Sequence, residues 1–392
     1  MKKMRTGRVL TALLILYMVF SIAFSGISFA EEEKKNGYFT IYEEKTNKKI
    51  FCTARVVNVG DEYLDEDNNL YEIIKVEGDK AYARFKEKVD IEKSLSALQN
   101  VGDGSALKTS VLQGRRLVAI YHTHSDESYL PTDGKSSIPY KGGIFKVGEA
   151  LKEALERRGI TVIHSNQSHD PHDAAAYQRS RRTAMELLKK GPDALIDVHR
   201  DAVPAEEYAA QINGKSIAKV QLVVGRQNPQ IESINNFAWQ LKALADKKYP
   251  GLVKGIFYGK GNYNQDLFPR TILVEAGTYT NYRDKAQEGV EILADVIATT
   301  LYGSDYQKKG APGAGGTTRV PGEGGSAVRA IFWIIALCAI GFIAYMLIST
   351  GGRKELSSKL RRFMGSEFAN FLGSFKRKGK NGNQGDQTGS EG

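Results

Sequence analysis

The sequence has few cysteines, and the part between its apolar ends has no excess of positive charge. Cys52 and Cys338 are the only cysteines among 392 residues, and Cys338 lies within a long apolar run near the C-terminus. No disulfide bond can therefore form within the central region. Stability there must come from core packing or from a metal ion, and we expect Cys52 to be a small buried residue without a chemical role.

The net charge of +10 arises at the two ends of the chain. Residues 1–30 carry four basic residues and no acid, residues 353–392 carry nine basic and four acidic residues, and Arg329 adds one more positive charge. Residues 31–328 are therefore neutral overall. Nucleic-acid-binding domains concentrate basic side chains on the folded part, so we expect no nucleic-acid partner.

Apolar runs near both ends predict export and a membrane anchor. Residues 9–25 follow basic residues and precede Ser28-Phe29-Ala30, which indicates a signal peptide or an N-terminal anchor over residues 1–30. Residues 330–350 are uncharged and long enough to cross the roughly 30 Å apolar core of a bilayer, so they predict a transmembrane helix. The basic tail, residues 351–392, then lies in the cytoplasm. The sequence predicts a single-pass cell-membrane protein whose functional region is extracytoplasmic.

The pattern between these ends changes once. Residues 31–100 contain short alternating apolar runs separated by turn residues, which predict a small β module. Residues 110–303 alternate apolar strand-like runs with helical stretches, which predicts an α/β domain with a mainly parallel sheet and helices on both faces. Residues 304–328 are rich in glycine and predict a flexible linker. The predicted strands of the α/β domain are 117–121, 160–164, 194–198, 220–224, 255–258 and 271–274, and its helices are 144–158, 174–190, 229–248 and 284–301.

Three of the predicted strands end in side chains that suit a metal site. His124 and Glu127 follow the first strand, His199 follows the third, and Glu275 belongs to the end of the last. The carboxyl ends of parallel strands meet at one edge of a sheet, so these groups are expected to converge. Two imidazoles and one carboxylate are typical of a hydrolytic zinc site, and a further carboxylate can accept a proton from water. The alternative is that His124 and Glu127 lie in a solvated loop and that His199 is a structural histidine.

Other histidines leave alternatives open. His122 lies two residues before His124, so in an extended chain both side chains point the same way. His122 either replaces His124 as a ligand or orients another ligand. His169 and His172 lie in a polar loop, and we expect them at a solvated rim or in contact with substrate.

Arg200 directly follows one of the predicted ligands. Its guanidinium is a candidate to stabilise the negative charge that develops on a carbonyl oxygen during hydrolysis. The alternative is an ion pair with Asp197 or Asp201, which lie close to it in the sequence. The residues alone do not decide between these roles.

The motifs at residues 120–129, 197–202 and 273–278 resemble the stage II sporulation protein P family, a branch of the zinc N-acetylmuramoyl-L-alanine amidases. The resemblance covers roughly residues 110–303. It implies that His124, Glu127 and His199 bind zinc and that Glu275 is the catalytic carboxylate. In many of those amidases the ligand glutamate lies farther downstream, where this chain has Pro139 and Tyr140. Glu149 is therefore the reserve candidate for the carboxylate ligand of zinc.

The resemblance also implies a function. It predicts a membrane-anchored peptidoglycan hydrolase that cleaves the amide between N-acetylmuramic acid and L-alanine during forespore engulfment in sporulation. It further implies work alongside a lytic transglycosylase, stage II sporulation protein D, and a membrane partner, stage II sporulation protein M. Two alternatives stay open: a zinc endopeptidase that acts on the stem peptide, and a non-catalytic scaffold that binds the wall.

Overall fold

The computed structural model describes residues 33–34, 36–93 and 115–303, which form thirteen strands and five α-helices. The six strands and four helices predicted for residues 110–303 are present. The strands are β1 Phe39–Glu43, β2 Lys49–Thr53, β3 Glu62–Leu64, β4 Asn69–Glu77, β5 Lys80–Lys88, β6 Leu117–Tyr121, β7 Thr161–His164, β8 Ala194–Asp201, β9 Ala209–Ile212, β10 Lys215–Ala218, β11 Val220–Gly225, β12 Val253–Gly259 and β13 Thr271–Thr278. The helices are α1 Leu130–Asp133, α2 Ile144–Glu156, α3 Ala176–Leu188, α4 Ile231–Lys248 and α5 Arg283–Tyr302.

Eleven of these strands form one sheet, in the order β2-β1-β5-β4-β3-β12-β11-β13-β8-β6-β7. Each adjacent pair among the four strands at one end of the sheet is parallel: β7 with β6, β6 with β8, and β8 with β13. Strands β11 and β12 are parallel to each other but antiparallel to β13. The part from β12 to β7 is therefore mainly parallel, as predicted, with one antiparallel junction. Strands β9 and β10 form a separate hairpin.

The five strands before residue 93 continue this same sheet. Strand β3 pairs antiparallel with β12, with Tyr63 opposite Phe257 and Leu64 opposite Ile256. The small β module predicted over residues 31–100 therefore extends the sheet of the α/β domain. Pairing with β3 satisfies backbone N–H and C=O groups of β12 that would otherwise form an open edge. Phe51 of β2 reinforces the junction, because its ring stacks on that of Tyr63 with ring centres 3.7 Å apart.

Helices cover both faces of the parallel part, as predicted. Val118 and Ile120 of β6 pack in one core cluster with the buried sides of α2, α4 and α5. Ala119 and Tyr121 of the same strand pack in another cluster with Ala184 of α3. Successive strand residues point to opposite faces, so α3 lies on the face opposite the other three helices. The buried strand ends are thereby enclosed between two helical layers.

Several predicted segments lie outside the described residues. They are the signal peptide or N-terminal anchor over residues 1–30, the linker over 304–328, the transmembrane helix over 330–350 and the basic tail over 351–392. Among the described helices, none combines the length and the apolar character needed to cross a bilayer.

Candidate functional site

The ends of β6, β8 and β13 bring the three predicted motifs together. Strand β8 lies between the other two and is parallel to both. In this register Tyr121 is opposite Asp197, and Glu275 is opposite His199. The chain leaving β6 continues as the loop that carries the first histidine and glutamate of the predicted site. The sheet therefore places all three motifs at one edge, as the parallel arrangement requires.

Glu127 lies at the centre of this edge and is fully buried. Its Oε1 is 3.3 Å from Nδ1 of His199, and its Oε2 accepts a hydrogen bond of 3.0 Å from the backbone N–H of Arg200. Both carboxylate oxygens are thus directed at the end of β8. A buried carboxylate is costly unless it is paired or bound to a metal, and here it lies beside an imidazole.

His199 lies between two carboxylates. Its Nδ1 faces Glu127, and its Nε2 is 3.0 Å from Oδ1 of Asp197. Asp197 is itself fixed, because it accepts hydrogen bonds from the backbone N–H of Thr123 at 2.8 Å and from its hydroxyl at 2.5 Å. Burial lowers the pKa of His199, but Asp197 and Glu127 outweigh burial and raise this pKa to about 10. A divalent cation would replace the proton that these carboxylates now favour.

His124 is a neutral imidazole with a free nitrogen. Its Nδ1 is buried and has no hydrogen-bond partner within the described residues. Burial, with the nearby rings of His172 and His199, lowers the pKa of His124 well below its usual value. The rings of His124 and His199 lie 5.2 Å apart and almost perpendicular, at 85°. A buried neutral imidazole nitrogen without a hydrogen-bond partner is available to bind a metal ion.

Two residues that the sequence did not mark as ligands also approach Glu127. Among the described residues, Glu33, Glu127 and His172 each offer a ligand atom, and these atoms lie within 4.8 Å of one another. The ring of His172 stacks on that of His124 with centres 3.7 Å apart, and its Nδ1 is 3.0 Å from Oδ1 of Asp126. Glu127 is therefore shared between the predicted ligand set and this second group.

The donor types of the predicted ligand set suit a zinc ion. His124, Glu127 and His199 supply two imidazoles and one carboxylate, which is a common ligand set of catalytic zinc. His124 has a buried Nδ1 without a partner within the described residues, and Oε1 of Glu127 lies 3.3 Å from Nδ1 of His199, so both side chains have an atom available to a cation. Oδ1 of Asp197 lies 3.0 Å from Nε2 of His199, the place that second-sphere carboxylates take beside zinc-bound histidines, but Nε2 has no hydrogen-bond partner within the described residues.

Glu275 is fully buried and has one bound and one free oxygen. Its Oε1 is 2.7 Å from Nε and 2.6 Å from Nη2 of Arg55, whereas its Oε2 has no hydrogen-bond partner within the described residues. Burial raises the pKa of Glu275, and the positive charges of Arg55 and His199 oppose this rise. Arg55 follows β2, far along the chain from the predicted motifs, and no periodic pattern in the sequence indicates its place here.

Arg200 has a different partner from those expected. Its Nη1 is 3.2 Å from both carboxylate oxygens of Glu33, and its Nη2 donates to the backbone oxygen of Ser136 at 3.3 Å. The expected partner Asp201 instead accepts hydrogen bonds from the Ala54 N–H and the Tyr208 hydroxyl, both at 2.9 Å. The guanidinium of Arg200 therefore lies at the mouth of the site.

His122 is engaged on both ring nitrogens. Its Nδ1 is 2.8 Å from the backbone oxygen of Val198, and its Nε2 is 2.8 Å from Nε2 of His164. His164 in turn lies 3.0 Å from Oε2 of Glu149, which is partly exposed on α2. Of the two open candidates, His124 has the free nitrogen. Glu149, the reserve ligand, belongs to this neighbouring chain of side chains.

His169 differs from its expected place at a solvated rim. It is 3% exposed, and its two ring nitrogens lie 2.7 Å from the backbone oxygen of His122 and 2.8 Å from Oγ1 of Thr183. His169 therefore connects the loop after β6 to helix α3 through these two contacts. Cys52 is likewise buried, as expected.

A groove of about 730 Å³ opens beside Arg200 and its partner Glu33. It is wide enough for a peptide or a sugar. Six of the residues that line it are Glu33, Lys34, Tyr38, Ser136, Tyr279 and Thr280. A second cavity, of about 470 Å³, lies against the N-terminal strands and is lined by none of the predicted site residues.

Comparisons with known proteins identify the family. Residues 28–298 match the model of the family "Stage II sporulation protein P (SpoIIP)", so the chain belongs to this family. Stage II sporulation protein P of Bacillus subtilis (strain 168) is 34% identical over 210 residues, which are 49% of this chain and 52% of that protein. The chain thus spans about half the length of this curated relative.

Solved structures with similarity to the chain include two amidases. An N-acetylmuramoyl-L-alanine amidase from Clostridium difficile 630 has 17% identity and a TM-score of 0.33, and covers 50% of this chain and 100% of its own. The CwlD amidase from Clostridioides difficile, in complex with the GerS lipoprotein, has 15% identity and a TM-score of 0.31, and covers 50% of this chain and 99% of its own. Both TM-scores are below 0.5, so the family assignment rests on the sequence match.

Proposed function

We propose that this protein is a zinc-dependent N-acetylmuramoyl-L-alanine amidase that hydrolyses peptidoglycan during sporulation. Membership of the stage II sporulation protein P family supports a role in sporulation. The observation that carries the proposed reaction is the meeting of Glu275 with His124, Glu127 and His199 at one buried edge of the sheet. This is the set of groups that metal-assisted amide hydrolysis needs.

The proposed metal ligands are His124, Glu127 and His199. Zinc, when bound, lowers the pKa of a water molecule toward about 7 and polarises the amide carbonyl. Asp197 keeps the imidazole of His199 oriented through its far nitrogen. Burial of all three ligands excludes competing water and strengthens the electrostatic interactions among them.

Glu275 is the proposed general base and acid. Its free oxygen, Oε2, accepts a proton from the attacking water, and the raised pKa of this carboxyl suits it to that exchange near neutral pH. Oxygen from water then bonds to the amide carbon. The carbon–nitrogen bond breaks, and Glu275 returns the proton to the leaving nitrogen, so the products are a lactyl carboxylate on the sugar and a free L-alanine amine.

Arg200 is proposed to act on the substrate at the mouth of the site. Its guanidinium lines the groove and is held there by Glu33. When a substrate enters the groove, the carbonyl oxygen that gains negative charge competes with the Glu33 carboxylate for this cation. Arg200 thus supports the reaction only while it is released from Glu33.

The proposed setting is the outer surface of the cell membrane. The predicted transmembrane helix over residues 330–350 would anchor the hydrolase, with peptidoglycan as its substrate. The proposed partners are stage II sporulation protein D, a lytic transglycosylase, and stage II sporulation protein M. The proposal places the reaction in forespore engulfment.

Substitution of the base tests the reaction. Glu275→Gln removes the proton acceptor but keeps the size of the side chain, so we expect zinc content and fold to persist while the release of stem peptides from purified wall falls by about 10²- to 10⁴-fold. Glu186→Gln, on the exposed side of α3, is the matched control and is expected to retain full activity.

Mass spectrometry of the released fragments identifies the bond that is cut. An amidase frees intact peptides that begin at L-alanine. Fragments that begin within the stem peptide would instead establish the endopeptidase alternative, and a wild-type chain that binds wall without releasing peptide would establish the scaffold alternative. A Glu275→Gln chain with near wild-type turnover would exclude Glu275 as the base.

A further inference from the structure

Arg55 enters the site from the N-terminal strands and contacts the proposed base. It follows β2 in the sequence, is 3% exposed, and directs two nitrogens at a single oxygen, Oε1, of Glu275. The proposed function uses Glu275 but assigns no role to Arg55. A buried guanidinium on a buried carboxylate calls for an explanation, because each charge is costly to remove from water.

The backbone beside Arg55 is anchored to the strand that carries His199. The N–H of Ala54 donates a hydrogen bond of 2.9 Å to Oδ1 of Asp201, at the end of β8. The N–H of Arg55 itself bonds Oγ1 of Thr53 at 3.2 Å. The position of Arg55 is therefore tied to β8 through the neighbouring backbone and to β13 through its guanidinium.

Aromatic rings flank the guanidinium. Its central carbon lies 5.3 Å from the ring centre of Tyr263, whose ring contacts that of Tyr177 at 5.5 Å. A planar guanidinium can pack against such a ring while its nitrogens reach one carboxylate, whereas an ammonium is a compact point charge. The environment is thus specific for arginine.

The hydrogen-bond pattern leaves one oxygen of Glu275 free. Nε and Nη2 of Arg55 both bind Oε1, and Oε2 has no hydrogen-bond partner among the described residues. Two contacts to one oxygen fix the rotation of the carboxylate about its last bond. The remaining oxygen then points in a single direction, which is what a proton acceptor requires.

We propose that Arg55 is a positioning residue for the base: it binds Oε1 of Glu275 and thereby directs Oε2 at the attacking water. This inference rests on the proposed function of Glu275 and extends it to the strands before residue 93. It makes those strands part of the catalytic unit. Arg55 acts through Glu275 and does not itself contact the reacting atoms.

The test compares Arg55→Ala and Arg55→Lys with Arg226→Ala in the full-length protein. Arg226 is the matched control, because it also pairs with a buried acid across the same junction, with Nε 2.8 Å from Oδ1 of Asp61, but away from the site. Peptide release from purified wall is measured as kcat and KM, together with the melting temperature and zinc content of each variant.

We expect Arg55→Ala to lower kcat by about 10²-fold with little change in KM, because a misdirected base slows the chemical step more than binding. Added guanidinium ion should restore part of this loss in Arg55→Ala and none in Glu275→Gln. Arg55→Lys should retain zinc and fold with an intermediate kcat. Arg226→Ala should lose thermal stability but keep its kcat.

The outcomes separate this role from the proposed function. If wild type is active and Glu275→Gln is not, then wild-type kcat in Arg55→Ala or Arg55→Lys overturns the role of Arg55 alone. Equal loss in Arg226→Ala, or no rescue by guanidinium, overturns it as well, because both indicate a purely structural pair. A wild-type protein that releases no peptide, or an active Glu275→Gln chain, overturns both proposals.

Discussion

Single residues decide whether the buried edge is a metal site or a set of ordinary ion pairs. His199 lies between two carboxylates, and its pKa is raised to about 10 because Asp197 and Glu127 outweigh burial. The neighbouring His124 is neutral and has a nitrogen without a partner. The raised pKa of His199 and the unpaired nitrogen of His124 fit a site that binds a cation in exchange for a proton.

The role of Asp197 gives a prediction about zinc affinity. Asp197→Asn keeps the shape of the side chain but removes the negative charge that faces Nε2 of His199. We expect zinc affinity, measured by competition with a chromophoric chelator, to fall by about 10- to 100-fold, as for other second-sphere carboxylates. Unchanged affinity would show that His199 does not need Asp197 to bind the metal.

The sequence predicted part of this residue-level picture. His124, Glu127, His199 and Glu275 were identifiable because each stands in a motif at the end of an apolar strand run, and parallel strands end at one edge. Arg55 was not, because it reaches the site from a loop with no periodic pattern, more than 200 residues from its partner in the sequence.

The position of Glu33 beside the site was not predictable from the sequence for a similar reason. It approaches the site through an isolated bridge to Arg55 and an ion pair with Arg200, and neither contact leaves a sequence motif. His172 was visible as a histidine, but the stacking of its ring on His124 depends on the path of a long polar loop. Such contacts are tertiary and have no local signal.

At the scale of elements, helix α2 is fitted closely to the loop after β6. A Cβ atom on Gly148 would lie 2.5 Å from Nε2 of His122 and 2.6 Å from Nε2 of His164. These two rings are hydrogen-bonded to each other at 2.8 Å, so neither can move without breaking that bond. The glycine is therefore required by the close approach of helix and loop.

This close approach predicts the effect of Gly148→Ala. Alanine favours a helix by about 1 kcal/mol over glycine, but overpacking here should outweigh that gain and lower the free energy of unfolding by about 1–3 kcal/mol. Urea denaturation measures the change, with Glu156→Ala on the exposed side of α2 as the control, expected within about 0.5 kcal/mol of wild type. A stabilised Gly148→Ala chain would contradict the packing described here.

The elements themselves were largely predictable. Strand β6 is a continuous run of five buried apolar residues, and α2 has apolar residues at helical spacing along its buried side. Both patterns are visible in the sequence. The antiparallel direction of β11 and β12 relative to β13 was not predictable, because an apolar run has the same pattern in a parallel and in an antiparallel strand. The antiparallel pairing of β11 with β13 is a property of the connections.

At the scale of the whole molecule, one sheet links the N-terminal strands to the region that contains the proposed site. The β3–β12 pairing joins the two halves, and Phe51, Tyr63, Phe257 and Leu273 share one core cluster across the junction. The sequence predicts two regions, residues 31–100 and 110–303, because the pattern of apolar residues changes between them. The pairing of strands nearly 200 residues apart has no counterpart in that pattern.

The described region is also electrically balanced as a whole. The sequence from residue 31 to residue 328 carries no net charge, so attraction to an anionic wall polymer cannot come from overall charge. Under the proposed function, recognition of the wall would instead rely on local groups such as Arg200 and Lys34 in the groove.

The central claim is that one zinc ion binds at the ends of β6, β8 and β13. A crystal structure of the zinc-loaded protein, with anomalous data collected at the zinc edge, tests it most directly. The account predicts one zinc per chain, with nitrogens of His124 and His199 and an oxygen of Glu127 at about 2.0–2.2 Å. No zinc peak at this edge, or a peak held by other residues at a distance from Glu275, would contradict it.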